Sequence, residues 1–412
     1  MKILLATSTV TYNAGIPSFN RELATLIGAD NELHLLVDED IISYPGYMKV
    51  FSTANINIFN YKDVLNLLDV LLLEDYDVVV NSNSHLISLL APFLDNRTRL
   101  ITVSHSMGTM DCDNAIFNKN YIDNIIALSS SCKEYICNRF GRDLESKISV
   151  IFNSVKGNPR ADQLRNTKKH NDTIKIVFAG GAAPSKSPDI IVPVIHELCK
   201  TSMKFEFYWL GIKTPPMKRF QVYNDISDIL PNDPRVIVTG LIPQKEAANI
   251  ISACNIFIAP SRREGFPMAL LEAMSVGCIP IVSDYKIANK EIIDDAVNGY
   301  VIHHKDINAF VQRISHIVMN HCDYHNIYDN SYQDFIAKLS FPIWRNKMLQ
   351  VFQMSALEHK ERLVISKLTF LITVLRFKVL ENYNLIENHI KEVLPCAVKF
   401  LKYYIQYGHR KR

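Results

Sequence analysis

Short apolar runs alternate with helical patterns along most of the chain, and this alternation constrains the fold more than any other feature. In the first half, the predicted strands are Ile3–Ala6, Leu33–Val37, Asp77–Asn81, Leu100–Val103, Ile125–Ser129 and Ile148–Phe152. Such almost continuously apolar runs are typical of parallel strands that are buried on both faces. Helical patterns such as Ser18–Ile27 and Asp63–Leu73 lie between them. The first half is therefore predicted to form a doubly wound α/β domain, which we place at residues 1–160.

A second alternating set follows a polar segment. Residues 156–173 are rich in charged and amide side chains and include Gly157 and Pro159, so we interpret them as a linker. The strands predicted after it are Ile174–Ala179, Phe205–Leu210, Val236–Thr239, Ile256–Ala259, Ile279–Val282 and Tyr300–Ile302. The sequence thus predicts a second Rossmann-like domain at residues 174–335, and two such domains facing a cleft.

The C-terminal part of the chain has a helical pattern instead. A helix is predicted near Phe341–Phe352, and leucines at helical spacing from residue 363 onward predict a helical tail at residues 356–412. This tail is basic, and residues 396–412 mix Lys and Arg with aromatic side chains, which suits contact with an anionic membrane surface. The alternative for the tail is packing against the core or a second subunit, with its surplus charges in solvent.

Charge and cysteine content indicate the class of protein and its compartment. The net charge of the 412-residue chain is +3, which is too small to indicate nucleic acid as a partner. The eight cysteines form no Cys-x-x-Cys pair, which is typical of a reduced protein rather than a disulfide framework. No apolar run reaches the roughly 20 residues of a membrane span. We therefore expect a cytoplasmic protein, at most peripheral on the inner face of the plasma membrane.

One segment, residues 259–284, has the pattern of a strand, a turn, a helix and a second strand. The helix is predicted to start near Phe266, with Pro267 at a position where its missing N–H costs nothing. It is predicted to end near Gly277, because glycine suits a left-handed C-terminal cap. A helix that starts at the carboxyl end of a strand presents free N–H groups and a positive dipole end, which together bind phosphate.

Two carboxylates flank the start of this helix. Glu264 lies just before it and Glu272 in its second turn. Gly265 lets the backbone approach a ligand closely. Because a carboxylate can accept hydrogen bonds from two hydroxyls, as a ribose offers, the segment predicts a site for a sugar, a diphosphate and a ribose in a row.

The string from Ala259 to Asp284 resembles the donor-site motif of retaining glycosyltransferases of the GT-B fold, in particular family 4, glycosyl transferases group 1. The resemblance implies an acceptor domain at residues 1–160, a donor domain at 174–335 and a crossover helix within 336–355. It implies that Glu264 holds the transferred sugar and stabilises positive charge at its anomeric carbon, while Glu272 binds the ribose. The remaining donor contacts that it implies along this helix start are Gly265, Phe266, Pro267 and Met268.

The resemblance also implies functional residues outside the segment 259–284, in loops that follow other predicted strands. The resemblance implies that His105, after the strand Leu100–Val103, donates a hydrogen bond to a sugar hydroxyl. Gly15 lies in a loop where the family has two glycines that face the donor diphosphate and the acceptor. Ala14 takes the first position, so only Gly15 is implied as a donor contact. Lys186 matches a lysine that offsets the diphosphate charge, and it completes the expected catalytic set of Glu264, His105 and Lys186.

Two further positions concern the donor nucleotide. Gly181 stands where the family has an arginine, so Lys186 lacks one expected partner cation, and Arg262 and Arg263 are candidates to replace it. Leu241 lies in a loop that resembles the family's contact with the nucleotide base.

No metal or other cofactor is expected. The segments Asp38-Glu39-Asp40 and Asp111-Cys112-Asp113 have an Asp-x-Asp form, but we interpret them as solvated loop carboxylates. The family's chemistry needs no metal, because the helix dipole and Lys186 stabilise the charge that develops on the diphosphate.

The sequence therefore predicts transfer of a sugar from a nucleotide-diphosphate sugar to a hydroxyl of a glycan or lipid-linked acceptor, with retention of anomeric configuration. We place this reaction in the assembly of a bacterial capsule, lipopolysaccharide or exopolysaccharide. Two alternatives remain: a nucleotide-sugar epimerase on the same fold, and a non-catalytic protein that binds a nucleotide-sugar.

Overall fold

The computed structural model divides the chain into two compact units. One consists of Met1–Asn153 and Trp344–Glu387, and the other contains Ser154–Ile343. The residues that the structure describes are 1–10, 15–58, 60–107, 109–170, 172–181, 183–211, 229–262, 266–284, 289–354, 363 and 367–388. The domain bounds expected from the sequence stay a prediction, although the division after Asn153 lies close to the first of them.

A parallel sheet forms the centre of the first unit. Its strands among the described residues are β1 (Lys2–Thr7), β2 (Glu32–Val37), β3 (Lys49–Ser52), β4 (Val78–Ser82), β5 (Arg99–Ser104), β6 (Asn124–Ala127) and β7 (Ile148–Val150). The helices between them are α1 (Gly15–Gly28), α2 (Tyr61–Leu73), α3 (His85–Leu90), α4 (Thr109–Ile116) and α5 (Ser130–Phe140). The strand order is β3-β2-β1-β4-β5-β6-β7, so the winding direction reverses between β1 and β4.

The second unit is also built around a parallel sheet. Its described strands are β8 (Ile174–Ala179), β9 (Phe205–Leu210), β10 (Val236–Val238), β11 (Ile256–Ala259), β12 (Ile279–Ser283) and β13 (Tyr300–Ile302). Its described helices are α6 (Ala161–Lys168), α7 (Pro188–Cys199), α8 (Gln244–Ala253), α9 (Met268–Met274), α10 (Asn289–Ile292), α11 (Ile307–Met319) and α12 (His325–Asp334). The order β10-β9-β8-β11-β12-β13 reverses between β8 and β11.

The two sheets confirm the predicted α/β class. Each predicted strand lies within two residues of an observed one, because a strand buried on both faces needs a continuous apolar run. The sequence reading missed β3. This four-residue strand pairs with β2 at the edge of the sheet and is partly exposed, so its sequence Lys-Val-Phe-Ser carries no long apolar run.

Two C-terminal helices complete the first unit. Helix α13 (Phe341–Gln353) ends where the buried Arg99 guanidinium donates hydrogen bonds to the carbonyls of Val351 and Phe352, the latter at 3.1 Å. A cation at this end stabilises carbonyls that have no partner within the helix. Helix α14 (Lys367–Asn388) buries Phe370, Val374 and Phe377 in the core of the unit.

The expected tail at residues 356–412 is therefore not uniform. Part of it, α14, packs on the core of the first unit, which was one of the two alternatives for the tail. The segment 396–412, proposed for membrane contact, lies outside the described residues. No helix within the described ranges is long and apolar enough to span a bilayer.

The predicted linker is in part a packed element. Residues 161–168 form α6, and the side chain of Lys168 is fully buried. Its Nζ donates to the carbonyl of Val276 at 2.9 Å and lies 3.1 Å from Cys278 Sγ. Polar composition was misleading here, because a lysine can be buried when backbone carbonyls satisfy its ammonium group.

Gly277 ends the helical segment as the sequence predicted, although α9 itself stops at Met274. Its φ is +67°, and the N–H groups of Gly277 and Cys278 donate to the carbonyls of Met274 and Ala273. These two bonds are those of a Schellman motif, which satisfies the last carbonyls of a helix. The motif turns the chain into β12.

We expect Gly277→Ala to lower the free energy of unfolding by about 2 kcal/mol, measured by urea denaturation. An L side chain is strained at this φ, and its Cβ would lie 2.9 Å from the carbonyl oxygen of Tyr328. Gly157→Ala is the matched control, since a Cβ there meets nothing within 4 Å. Equal losses of stability in the two variants would contradict the prediction.

Candidate active site

In the second unit, two loops meet at the point where the strand order reverses. One follows β8 and carries Gly180, Gly181 and Lys186, and the other follows β11 and leads to α9. The N–H of Arg262 donates to the carbonyl of Ser185 at 2.8 Å, which ties the second loop to the first. Ligands of open α/β sheets bind at the carboxyl ends of the strands at such a switch point. The structure therefore brings together two of the loops that the sequence singled out.

Arg262 has a structural role in this arrangement. Its buried guanidinium forms a bidentate ion pair with Asp189, in the first turn of α7, with one contact at 2.6 Å. It also donates to the carbonyl of Pro184 at 3.1 Å. The suggestion that Arg262 replaces the family's arginine on the diphosphate is therefore wrong, because its donors are directed at α7 and its loop. Arg263, the other candidate, lies outside the described residues.

The position of the Lys186 side chain depends on the small size of Gly180. A Cβ added to Gly180 would come within 3.3 Å of the Lys186 side chain, so the absence of a side chain at Gly180 makes room for the stem of Lys186. The indole Nε1 of Trp209 donates to the carbonyl of Gly180 at 3.0 Å and holds this turn. Gly181 is partly exposed beside it. The loop thus presents one lysine where the sequence predicted a diphosphate contact.

Strain is concentrated just before α7. Ser187 is fully buried and has a φ of +57°, which a residue with a side chain adopts only at a cost of roughly 1–2 kcal/mol. Arg262, which pairs with Asp189, also contacts this residue, with its Nη1 3.4 Å from Ser187 Oγ. The packed ion pair thus maintains a backbone shape that the loop would not adopt by itself.

The centre of the expected motif is only partly described. Glu264 and Gly265 lie outside the described residues, so their roles stay predictions. Phe266 and Pro267 are buried, and the carbonyl of Pro267 accepts the N–H of Leu270 at 3.1 Å. Helix α9 begins at Met268, two residues later than predicted. The positions of Phe266, Pro267 and Met268 place a helix N-terminus at the end of the β11 loop.

Glu272 is a partly buried carboxylate on α9. Burial raises its pKa above the usual value, and a hydrogen bond with the side chain of Gln244 opposes this rise. Gln244 is the first residue of α8, directly after the loop of Leu241, whose side chain is 60% exposed. The pair therefore joins α9 to the loop that the sequence assigned to the nucleotide base. The sequence reading missed Gln244, because a glutamine at a helix start carries no signal of its own.

The first unit contains the remaining predicted residues. His105 follows β5 and is buried, with 8% of its surface exposed. Its Nε2 lies 2.8 Å from Ser82 Oγ, and the edge of its ring meets Phe19 at a centroid distance of 5.0 Å. Burial lowers the pKa of His105 to about 3, so the ring is neutral at pH 7. Gly15 opens α1 and is exposed, whereas Ala14 lies outside the described residues.

The Asp-x-Asp segments are held by protein partners. Asp113 is fully buried and pairs with Arg139 through contacts of 2.7 and 2.5 Å. Glu39 accepts hydrogen bonds from the Thr9 hydroxyl and from the N–H of Val10, the latter at 3.1 Å. Our interpretation of both segments as solvated carboxylates was therefore wrong in part. Within the described part of the chain, no group of three or more His, Cys, Asp or Glu side chains is arranged to hold a metal ion.

Comparison with known proteins gives matches in sequence. Residues 159–334 match the family model of glycosyl transferases group 1. The chain is 23% identical over 338 residues to the uncharacterized glycosyltransferase MJ1178 of Methanocaldococcus jannaschii, covering 78% of this chain and 89% of that protein. It is 28% identical over 244 residues to the poly(ribitol-phosphate) alpha-N-acetylglucosaminyltransferase of Staphylococcus aureus, covering 58% of this chain. The match spans 45% of that relative, so less than half of its length is represented.

Solved structures give the fold. The crystal structure of Anabaena Alr3699/HepE in complex with UDP matches with a TM-score of 0.68 at 14% identity, covering 85% of this chain and 99% of that one. Together with the two parallel sheets, this likeness shows that the chain has the GT-B fold, and its residues 159–334 match the glycosyl transferases of group 1.

Proposed function

We propose that this protein is a retaining glycosyltransferase that transfers a hexosyl-type sugar from a nucleotide-diphosphate sugar to an acceptor hydroxyl. The observation that carries the proposal is the meeting of the β8 and β11 loops at the switch point of the second unit. These loops bring Lys186 and the start of α9 to one end of one sheet. They lie within the segment that matches the family model.

The donor's charge would be met by Lys186 and by the backbone. A nucleotide diphosphate that leaves a sugar gains negative charge, and a preorganised cation stabilises that charge without reorganisation. Gly181, in place of an arginine, lets the backbone approach the phosphates, and Gly265 would do the same at the second loop. With Arg262 engaged by Asp189, we assign most of the neutralising charge to Lys186.

The reaction that we propose needs no base from the protein. The bond between the anomeric carbon and the leaving phosphate oxygen breaks, and the acceptor oxygen forms the new bond on the same face. The acceptor proton passes to the leaving phosphate. Glu264 would stabilise positive charge at the anomeric carbon, and His105 would contact a hydroxyl of the sugar. No metal or cofactor takes part in this scheme.

We propose uridine as the base of the donor. The similar structure of Alr3699/HepE is a complex with UDP, which supports this choice. Glu272 would accept the ribose hydroxyls, with Gln244 holding its carboxylate, and the loop of Leu241 would contact the base through its backbone. The exposed side chain of Leu241 would offer an apolar surface to the edge of the uracil ring.

We propose a glycan or a lipid-linked glycan of the bacterial cell envelope as the acceptor. The relative from Staphylococcus aureus acts, by its name, on poly(ribitol-phosphate), which supports an envelope polymer. A cytoplasmic enzyme with a lipid-linked acceptor would work at the inner face of the plasma membrane.

Helix α14 supports such a membrane contact. One of its faces packs on the core, and the opposite face exposes Leu371, Leu375 and Val379 to solvent, the last two at 56% and 70%. Arg376 and Lys378 are exposed on the same helix. A row of exposed apolar side chains beside cations is typical of a helix surface that binds an anionic membrane. We propose that this face of α14 acts together with residues 396–412.

Glu272→Gln should weaken UDP binding about 10- to 100-fold, because a neutral amide accepts the ribose hydroxyls less strongly than a carboxylate. The measurement is the thermal shift with UDP, GDP, ADP and CMP, of which we expect UDP to stabilise most. Glu246→Gln, an exposed change on the neighbouring α8, is the control. Equal UDP shifts in the two variants would contradict the ribose role.

The same binding should depend on pH. Ribose hydroxyls favour the ionised form of Glu272, whose pKa is raised by burial. We therefore expect the affinity of the wild type for UDP to fall as the pH drops through that raised pKa. The Glu272→Gln variant should keep its weaker affinity over the same pH range, and a parallel fall in both proteins would exclude Glu272 as the cause.

Lys186→Ala should lower kcat by about 10²- to 10³-fold, the usual loss when one group that stabilises transition-state charge is removed. Lys200→Ala, at the exposed end of α7, should leave kcat unchanged. The assay uses UDP-sugars with a polysaccharide-repeat acceptor, and proton NMR of the product reports the anomeric configuration. Inversion would reject the retaining mechanism, conversion of donor without an acceptor would indicate an epimerase, and binding without turnover would indicate a non-catalytic protein.

The double change Leu375→Glu and Val379→Glu should reduce sedimentation with phosphatidylglycerol vesicles at least about tenfold, since it places two charges where apolar side chains would be buried. Leu73→Glu, at the end of α2, is the control because Leu73 is an exposed leucine, 84% accessible, on a different helix. Removal of residues 396–412 should also reduce binding. If none of these changes affects vesicle binding, the membrane contact is rejected.

A further inference from the structure

Four buried polar side chains form a continuous chain at the switch point of the first sheet. Thr7 and Ser82 end β1 and β4, Asn20 lies on α1, and His105 follows β5. The distances are 2.9 Å from Asn20 Nδ2 to Thr7 Oγ1, 2.6 Å from Ser82 Oγ to Asn20 Oδ1 and 2.8 Å from Ser82 Oγ to His105 Nε2. Three adjacent strands and one helix thus contribute to a single hydrogen-bonded series.

A backbone carbonyl gives this series its direction. The Thr7 hydroxyl donates to the carbonyl of Thr9 at 3.3 Å, and a carbonyl can only accept. With its proton so used, Thr7 Oγ1 accepts a hydrogen bond from the amide nitrogen of Asn20. The amide oxygen of Asn20 then faces Ser82 and accepts the proton of the Ser82 hydroxyl.

The direction of the series determines which ring nitrogen of His105 carries the proton. The Ser82 hydroxyl has a single proton, which it donates to Asn20, so towards His105 it can only accept. His105 Nε2 must therefore carry a hydrogen. Because the buried ring is neutral at pH 7, its Nδ1 then has a lone pair and no proton.

We propose that Thr7, Asn20 and Ser82 are positioning residues that hold His105 as the Nε2–H tautomer, so that its Nδ1 accepts a hydrogen bond from a ligand hydroxyl. This assignment reverses the role expected from the sequence, in which His105 donates. The identity of that hydroxyl as one of the transferred sugar rests on the proposed function. The assignment of the tautomer is independent of the proposed function.

The surroundings of the ring favour a ligand contact at Nδ1. The edge-on contact with Phe19 fixes the ring plane, and Phe19 in turn meets Trp344 at a centroid distance of 6.0 Å. Among the described residues His105 makes its side-chain hydrogen bond through Nε2 and none through Nδ1, and 8% of the residue's surface is exposed. A site that offers an acceptor at this point binds a sugar hydroxyl and rejects a deoxy sugar at the same position, because the acceptor would lose its hydrogen bond.

The test is the tautomer of His105 in the free protein, read from two-bond proton–nitrogen correlations in protein labelled with ¹⁵N-histidine at pH 7. The His105→Gln spectrum identifies the signal by its absence. We expect the Nε2–H pattern in the wild type. The Nδ1–H pattern, or a charged ring, would overturn the proposal whether or not the protein transfers sugar.

Variants separate positioning from folding. Ser82→Ala and Thr7→Val should each give a mixture of tautomers, because the first removes the acceptor and the second removes the link to the Thr9 carbonyl. Ser82→Thr keeps a hydroxyl and should restore the single Nε2–H pattern. Ser106→Ala, whose hydroxyl donates to Asp111 outside the series, is the control and should not change the spectrum. A pure Nε2–H signal in both Ser82→Ala and Thr7→Val would overturn the positioning role.

Discussion

Parallel strands that are covered on both faces determine where the helices and the polar loops of this protein lie. Helices must occupy the two faces of each sheet, so the loops that carry polar side chains can only gather at the ends of the strands. In each unit the chain winds first one way and then the other, which leaves a gap between two adjacent strand ends. In the second unit this gap lies between β8 and β11, and in the first between β1 and β4. The loop of Lys186 and the loop after β11 lie at the first of these gaps, and Thr7 and Ser82 lie at the second.

Charged side chains of the second unit divide into two groups by what surrounds them. Arg262 and Lys168 are buried and bind protein groups: Asp189 in one case, and the carbonyl of Val276 together with Cys278 Sγ in the other. A buried charge that lost such partners would cost several kcal/mol, so these residues maintain the loops and do not remain available to a ligand. The side chain of Lys186 packs against Gly180 and is partly exposed. A lysine therefore has a structural role at position 168 and a proposed donor-binding role at position 186.

Polar networks in the two units differ in what they control. In the second unit the Arg262–Asp189 pair fixes the backbone of a loop, including the strained Ser187. In the first unit the series from Thr7 to His105 fixes the position of protons, because each hydroxyl has one proton and donates it in one direction. A network of this kind is valuable only if every member is satisfied, since a buried hydroxyl or amide without a partner destabilises the fold.

The sequence by itself determined the α/β class, the described strands apart from β3, and the end of the α9 segment at Gly277. Apolar runs and a left-handed glycine depend on local chemistry and can be read without neighbours. It also identified Lys186, Glu272 and His105 as residues near strand ends or helix starts. Only the tertiary structure decided that Arg262 is committed to Asp189, that Gln244 holds Glu272, and that the ring of His105 presents an acceptor. Each of these depends on contacts between residues distant in sequence, and no local pattern specifies which partner a buried donor will meet.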